Sequence, residues 1–290
     1  MTHEARRVSV VGGGTMGVSI AYVFAMAGFD TILVEPDAGR AAAALGTMRE
    51  AAAGAVARGK ADAEAAEARL GAVRVERWAL ALPEGRALAI ETVPVRRGVK
   101  LEVLGEIAAR GPRLIATNTS ALGVSDIADA VGDPSRFLGM HFFNPVWSLM
   151  LVKVVRGRAT SDAAVAEVRA YAAVIGKAAA VVNDSPGFAT SRLDLALALG
   201  AIRMVEDGVA SAEDIDRAAT TAYRHPMGPL RLPDVVGLDV RLDIARHLGR
   251  ALGPHFAPPR LLEEMVARGD LRRKSGRGFH DWSAGAAGAA

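Results

Sequence analysis

The sequence predicts an α/β protein: an N-terminal Rossmann doubly wound sheet followed by a C-terminal all-helical domain. Three observations predict it. Arg7-Val8-Ser9-Val10-Val11 is a short apolar run that leads straight into glycines. Met16 to Ala27 then continues without a breaker to Gly28, and Thr31-Ile32-Leu33-Val34 follows, ending at Glu35. Strand, glycine turn, helix and strand within about thirty residues form a βαβ unit, which predicts a parallel sheet. After Asn183-Asp184-Ser185-Pro186-Gly187 the pattern turns helical as far as residue 270, punctuated by Pro226-Met227-Gly228-Pro229 and Pro258-Pro259. The expected domains are 1–184, carrying the sheet, and 185–290, helical.

Residues 38–82 are Ala-rich with regularly spaced Arg and Glu, and predict one long helix or a helical hairpin turning near Gly59. Further strands are expected at Leu88–Glu91, Leu114–Asn118, Phe137–His141, Val152–Val155 and Ala179–Val182, with helical segments between them. The tail from Ser283 to Gly288 has nothing to pack with and is expected to fray.

Composition narrows the function. A chain of 290 residues that is 51% hydrophobic has material for a sizeable core. Cysteine is absent, which excludes disulfides, thiolate nucleophiles and Cys-ligated metals and fits a reducing cytoplasm. Residues 1–7 lack an apolar signal core, and the apolar stretch Leu193–Val205 is interrupted by Asp194 and Arg203, so no membrane span is expected. Net charge is +3, but the bases are scattered among 32 acids without interleaved aromatics. That pattern predicts a solvated surface and not a nucleic-acid face. No His, Asp or Glu spacing suggests a metal site. Trp78, Trp147 and Trp282 read as core or rim packing, and Trp147 also follows a polar segment.

Gly12-Gly13-Gly14-Thr15-Met16-Gly17 satisfies G-x-G-x-x-G. Gly12 permits the tight turn, Gly14 lets backbone approach a pyrophosphate, and Gly17 lets helix and strand pack closely. Thr15 and Met16 open the helix, whose terminal N–H groups and dipole attract an anion. Glu35 ends the next strand about twenty residues on, as a dinucleotide fingerprint requires. Its carboxylate would accept from a ribose diol and repel a 2′-phosphate, which favours NAD over NADP. Arg40, close by in sequence, weakens that preference.

Two more polar segments follow strands: Thr117-Asn118-Thr119-Ser120 and Met140-His141-Phe142-Phe143-Asn144-Pro145. In a doubly wound sheet they should face the crevice that the glycine loop borders. A lone histidine such as His141 reads equally as structural or catalytic.

With Val10–Gly17, Asn118–Ser120, Gly139–Val146, Asp184–Phe188, Tyr223–Asp239 and Lys274–Phe279 in matching order and spacing, the chain resembles the L-3-hydroxyacyl-CoA (3-hydroxybutyryl-CoA) dehydrogenase family over nearly its whole length. The resemblance implies NAD as cofactor, an acyl thioester as substrate and a homodimer formed through the helical domain. It implies that His141 is the general acid/base, and that Ser120 and Asn144 orient substrate and nicotinamide. It further implies that Lys100 and Lys274 join Asn118 in contacting the cofactor, and that Arg58 lies near the CoA phosphates.

The chain departs from the family at three positions. Lys153, in Leu151-Val152-Lys153-Val154, stands where the family has the glutamate that pairs with its histidine. Val95 replaces a second glutamate near the nicotinamide, and Ser191 replaces an asparagine near the acyl site. A lysine cation beside His141 should lower the histidine pKa, by about a unit or more. Three readings stay open. In the first, hydride transfer continues and Lys153 supplies the proton or binds an anionic group. In the second, a related cavity does other chemistry, on an ACP-bound or imine substrate or in a non-redox step. In the third, the protein binds cofactor and ligand but turns over weakly. A fourth possibility concerns the residue alone: Lys153 swings to solvent and leaves His141 without an orienter.

Overall fold

A computed structural model of the chain describes residues 6–120, 122–271 and 275–283. It divides into two compact units, residues 1–185 and 186–290.

The first unit is built on eight strands, β1 (Arg7–Val11), β2 (Asp30–Val34), β3 (Arg74–Glu76), β4 (Leu88–Glu91), β5 (Leu114–Thr117), β6 (Phe137–Phe142), β7 (Leu151–Arg156) and β8 (Ala178–Asn183). Its helices are α1 (Thr15–Met26), α2 (Ala38–Ala57), α3 (Ala63–Gly71), α4 (Arg97–Ala108) and α5 (Asp162–Val174). The sheet order is β3-β2-β1-β4-β5-β6-β7-β8. The chain therefore leaves β1 in one direction and returns beside it in the other, and a ligand crevice opens at the carboxyl ends around β1. The central strands β4 and β5 are buried at every position, which is why they read as unbroken apolar runs.

The turn from β1 into α1 depends on glycine. Gly12 has φ +113°, and a Cβ on Gly17 would lie 1.7 Å from the Gly12 carbonyl oxygen. The helix is thus pressed against the turn, as a dinucleotide loop requires. Asp37 and Asp62 cap α2 and α3 by accepting from the N–H groups of Arg40 and Ala65.

Two expectations need correction. Residues 38–82 take the hairpin alternative, with α2 and α3 flanking Gly59 at φ +66°, but the stretch is not helical to its end: residues 74–76 form β3 parallel to β2. The open edge of β2 offers unpaired backbone groups, and pairing with them overrides the helical composition. The sheet is also not wholly parallel, because β6 and β7 are antiparallel, with His141 opposite Lys153 and Met140 opposite Val154. Only residues 143–150 join them, fewer than the dozen or so that a parallel crossover needs.

The core of this unit joins Val8, Val10, Leu33, Ile90, Met140 and Val154 to Phe24 of α1 and Tyr171 of α5. Since strand side chains alternate between faces, Met140, Phe142, Val152 and Val154 turn into that core while His141 and Lys153 share the other face.

The second unit contains α6 (Thr190–Glu206), α7 (Ala212–Ala222), α8 (Arg231–Val236), α9 (Leu238–Leu252) and α10 (Arg260–Arg268), around Leu195, Leu199, Ile215, Leu242 and Leu262. Buried Asp234 accepts from the Phe279 and His280 N–H groups and from Trp282 Nε1, at 2.8, 2.9 and 3.0 Å. Asp216 accepts from the N–H groups of Leu230 and Arg231 and meets His280 Nε2 at 2.9 Å. The Asp216 hydrogen bond raises the His280 pKa. Two carboxylates thus clamp the last described segment, and Trp282 is core. The residues expected to fray lie, beyond Ser283, outside the described ones. Among the described residues no helix is long and apolar enough to cross a membrane.

Candidate active site

The glycine loop ends at Gly14, the N-cap of α1, with no side-chain cap on the helix. A Cβ built on Gly14 meets nothing within 4 Å, so the approach to the helix N-terminus is open. Beneath the loop, Glu35 Oε2 accepts from Gly13 N at 3.1 Å, and Oε1 accepts from Asp37 N at 2.9 Å. Arg40 donates to the same Oε1 through Nε and Nη2, at 3.1 and 2.8 Å. Burial pushes the Glu35 pKa up, but the Arg40 and backbone hydrogen bonds outweigh it and hold the carboxyl below its ordinary value. An open loop, N–H groups without a side-chain cap and an ionised acid at the end of β2 fit NAD: the α1 N-terminus would hold the pyrophosphate and Glu35 the ribose.

At the ends of β4 and β5 lies a cluster that sequence reasoning missed. Glu91 accepts from Lys100 Nζ through both oxygens, at 2.7 and 2.9 Å, from Val93 N at 2.7 Å and from Thr117 Oγ1 at 2.6 Å. Lys100 Nζ also donates to the Val93 carbonyl at 3.1 Å. All three ammonium donors are therefore engaged, and Lys100 is buried. The expected direct cofactor contact by Lys100 gives way to a positioning role, in which it fixes the turn after β4. The available signal was an acid ending a strand with a lysine nine residues later. Val95, just beyond that turn, is exposed.

His141 and Lys153 are direct cross-strand partners. Lys153 is only 1% exposed, so it does not swing to solvent. Its Nζ lies 5.2 Å from the centre of the Phe143 ring, which packs edge-on against His141 with centroids 4.8 Å apart. Burial lowers the Lys153 pKa to about 8. Burial first, and the Lys153 charge second, lower that of His141 to about 4. The sequence argument anticipated the charge effect but not the larger one. His141 is neutral at physiological pH, and its Nδ1 is buried with no hydrogen-bond partner among the described residues.

Asn118 braces this pair: its Oδ1 accepts from Phe142 N at 2.8 Å, tying the end of β5 to β6. Ser120 and Asn144 are exposed on the loops that follow β5 and β6, and Asn144 precedes a cis proline. Lys177 Nζ donates to the carbonyls of Val146 and Leu149, which holds the 146–149 loop and Trp147 in place. Trp147 packs edge-on against Tyr22 at 6.0 Å. Both line a groove of about 950 Å³ with Arg58, Lys60, Arg69 and Met150. Arg58 lines this groove, together with Lys60, Arg69 and Tyr22, which the sequence did not single out. Ser191 is the second residue of α6, in the other unit. Lys274 lies outside the described residues. Among those described, no group of three potential metal ligands occurs.

Comparison with known proteins agrees in both halves. Residues 7–185 match the NAD-binding domain of 3-hydroxyacyl-CoA dehydrogenase, and residues 187–282 match its C-terminal domain. A 3-hydroxybutyryl-CoA dehydrogenase of Mycobacterium tuberculosis is 39% identical over 97% of this chain and 100% of its own. One from Bradyrhizobium diazoefficiens is 35% identical over 97% of each. The crystal structure of the (S)-3-hydroxybutyryl-CoA dehydrogenase PaaH1 of Ralstonia eutropha superposes with a TM-score of 0.89 at 32% identity, covering 96% of this chain and 99% of that one.

Proposed function

Because this chain belongs to the 3-hydroxyacyl-CoA dehydrogenase family and is an NAD-dependent oxidoreductase, we propose that it interconverts a 3-hydroxyacyl thioester and its 3-keto form with Lys153, held behind His141, as the store of the transferred proton. The observation that carries this reading is the burial of Lys153 directly across the strand pair from His141. An imidazolium at His141 is disfavoured by burial and by the lysine charge alike. The pair avoids forming one if the ring only changes tautomer. In the reducing direction, His141 Nε2–H gives its proton to the oxygen that becomes the hydroxyl. Nδ1, now relieved of its unpartnered state, accepts a proton from the Lys153 ammonium, which is left as the neutral amine. Oxidation reverses each transfer. The bound nicotinamide supplies or accepts the hydride. A buried amine titrating near pH 8 suits this work, since an acid or base is most effective when its pKa lies near the operating pH.

The groove beside Trp147 supports a phosphorylated carrier such as CoA. Arg58, Lys60 and Arg69 provide cations around an apolar floor of Val23, Met26 and Ala55. The Lys153 position makes this a specialised member of its family. A cysteine-free chain suits the cytoplasm. Mixing the protein with NADH and acetoacetyl-CoA and following nicotinamide absorbance tests the reading. Turnover is expected, and Lys153→Met should lower kcat by roughly 10²–10³-fold. No rate with any acyl thioester would sink the proposal.

The same reading includes a homodimer. Leu193, Leu197 and Met204 are exposed along one side of α6 at 73%, 45% and 39%, while Leu195, Leu199 and Ile202 fill the core. A second copy is the occupant that a self-complementary stripe of this kind suits. Sedimentation should show a dimer for the wild type and a monomer for Leu193→Arg/Leu197→Arg; a monomeric wild type rejects it.

A further inference from the structure

Lys177 is a buried cation that the proton and hydride transfers leave unused. It lies in the link from α5 to β8, and its Nζ donates to two backbone carbonyls, that of Val146 and, at 2.7 Å, that of Leu149. Burial alone moves its pKa, downward, with no neighbouring charge contributing. An ammonium out of water is costly unless its donors are matched, and here carbonyl dipoles do the matching. Both carbonyls belong to one turn of chain. Pro145 O accepts from Ser148 N at 3.2 Å and from Leu149 N at 3.1 Å, so the turn is helical and the Val146 and Leu149 carbonyls lie toward its carboxyl end. A single helical turn is unstable by itself, and a cation is the group that such an end attracts.

The lysine links two walls of the groove. Trp147, Ser148 and Met150 line one side, and Val174, Ile175 and Gly176, the residues just before Lys177, line another. The ammonium reaches from the second wall to the turn that carries the first. One residue on, Ala178 N donates to Met150 O at 2.7 Å and repeats the tie. Trp147 is 41% exposed and meets Tyr22 only edge-on, so the turn beneath the indole sets its position more than burial does. The same indole borders a separate cavity of about 210 Å³ beside Gly13, Gly14 and Thr15. It is a partition, and moving it would open the groove into its neighbour.

We propose that Lys177 is a positioning residue for the acyl carrier, a role that rests on the groove being the carrier site. Through the 145–149 turn it keeps the Trp147 indole as the wall against which the nucleotide end of the carrier packs. Calorimetric titration with free CoA tests this without turnover. Lys177→Met should weaken CoA binding at least about tenfold, and Trp147→Ala should do likewise. The double variant should bind no more weakly than the weaker single, because both changes remove one wall. Lys177→Gln, which keeps a donor and guards against a misfolded Lys177→Met, should fall between wild type and Lys177→Met. Kinetics give a second readout. The loss of kcat/KM in Lys177→Met should be at least about tenfold larger with acetoacetyl-CoA than with S-acetoacetyl-N-acetylcysteamine, which keeps the thioester and lacks the nucleotide. Equal CoA affinity in wild type and the Lys177 variants, additive losses in the double variant, or equal losses with the two thioesters overturns the proposal and leaves the redox reading intact. CoA binding that weakens as stated in a protein without turnover upholds it and sinks only the redox reading. A wild type that binds no CoA overturns the carrier reading and the role of Lys177 together.

Discussion

Two lysines, Lys100 on α4 and Lys153 on β7, are both 1% exposed, yet their surroundings differ. Lys100 holds both oxygens of Glu91 at 2.7 and 2.9 Å, and Thr117 and the Val93 N–H complete that carboxylate. Lys153 faces a histidine across the β6–β7 pair and lies above the ring of Phe143. The first is a closed set, in which charge and hydrogen bonds are matched and nothing is left to exchange. The second contains a ring nitrogen with no partner among the described residues and an ammonium whose pKa burial brings to about 8. A matched buried pair holds backbone in place; a mismatched one holds a proton ready to move.

Substitution should break that comparison in opposite directions. Lys100→Met strands Glu91 as an uncompensated buried charge and should destabilise the first unit by about 3–5 kcal/mol in urea unfolding. Lys153→Met removes a cation that the fold disfavours, and should stabilise by on the order of 2 kcal/mol while activity falls. The pH dependence has a matching sign. Folding lowers the Lys153 pKa from 10.5 to about 8, so between those values the unfolded chain binds more protons. Wild-type stability should therefore carry a contribution that rises with pH across that window, and Lys153→Met should lack it. If both variants destabilise alike, the two lysines do the same structural work and the contrast fails.

Much of this was legible in the residues, for physical reasons. Gly12–Gly17 and Glu35 announce the cofactor end because a tight turn and a close helix leave almost no choice of residue. The oddity of Lys153 showed in one tetrapeptide. Hidden were features that depend on what the chain meets in space. Residues 74–76 became a strand because β2 had an open edge, and β7 ran antiparallel because its connection was short. The engagement of Lys100 by Glu91, and of Glu35 by Arg40 and Gly13, joins side chains whose spacing fits no simple motif. Burial outranking charge at His141 followed only from how deeply the strand pair sits.

The central claim is that the exchanged proton belongs to the His141–Lys153 pair and resides on the lysine. The most direct test is kcat for NADH-driven reduction of acetoacetyl-CoA from about pH 6 to about pH 10, in wild type and Lys153→Met. The wild-type rate should be full in the acid range and fall through a single inflection near pH 8, as Lys153 loses its proton. Lys153→Met should lose that inflection. A wild-type profile that instead turns near the ordinary histidine value and survives Lys153→Met unchanged would return the proton to His141 and contradict the account.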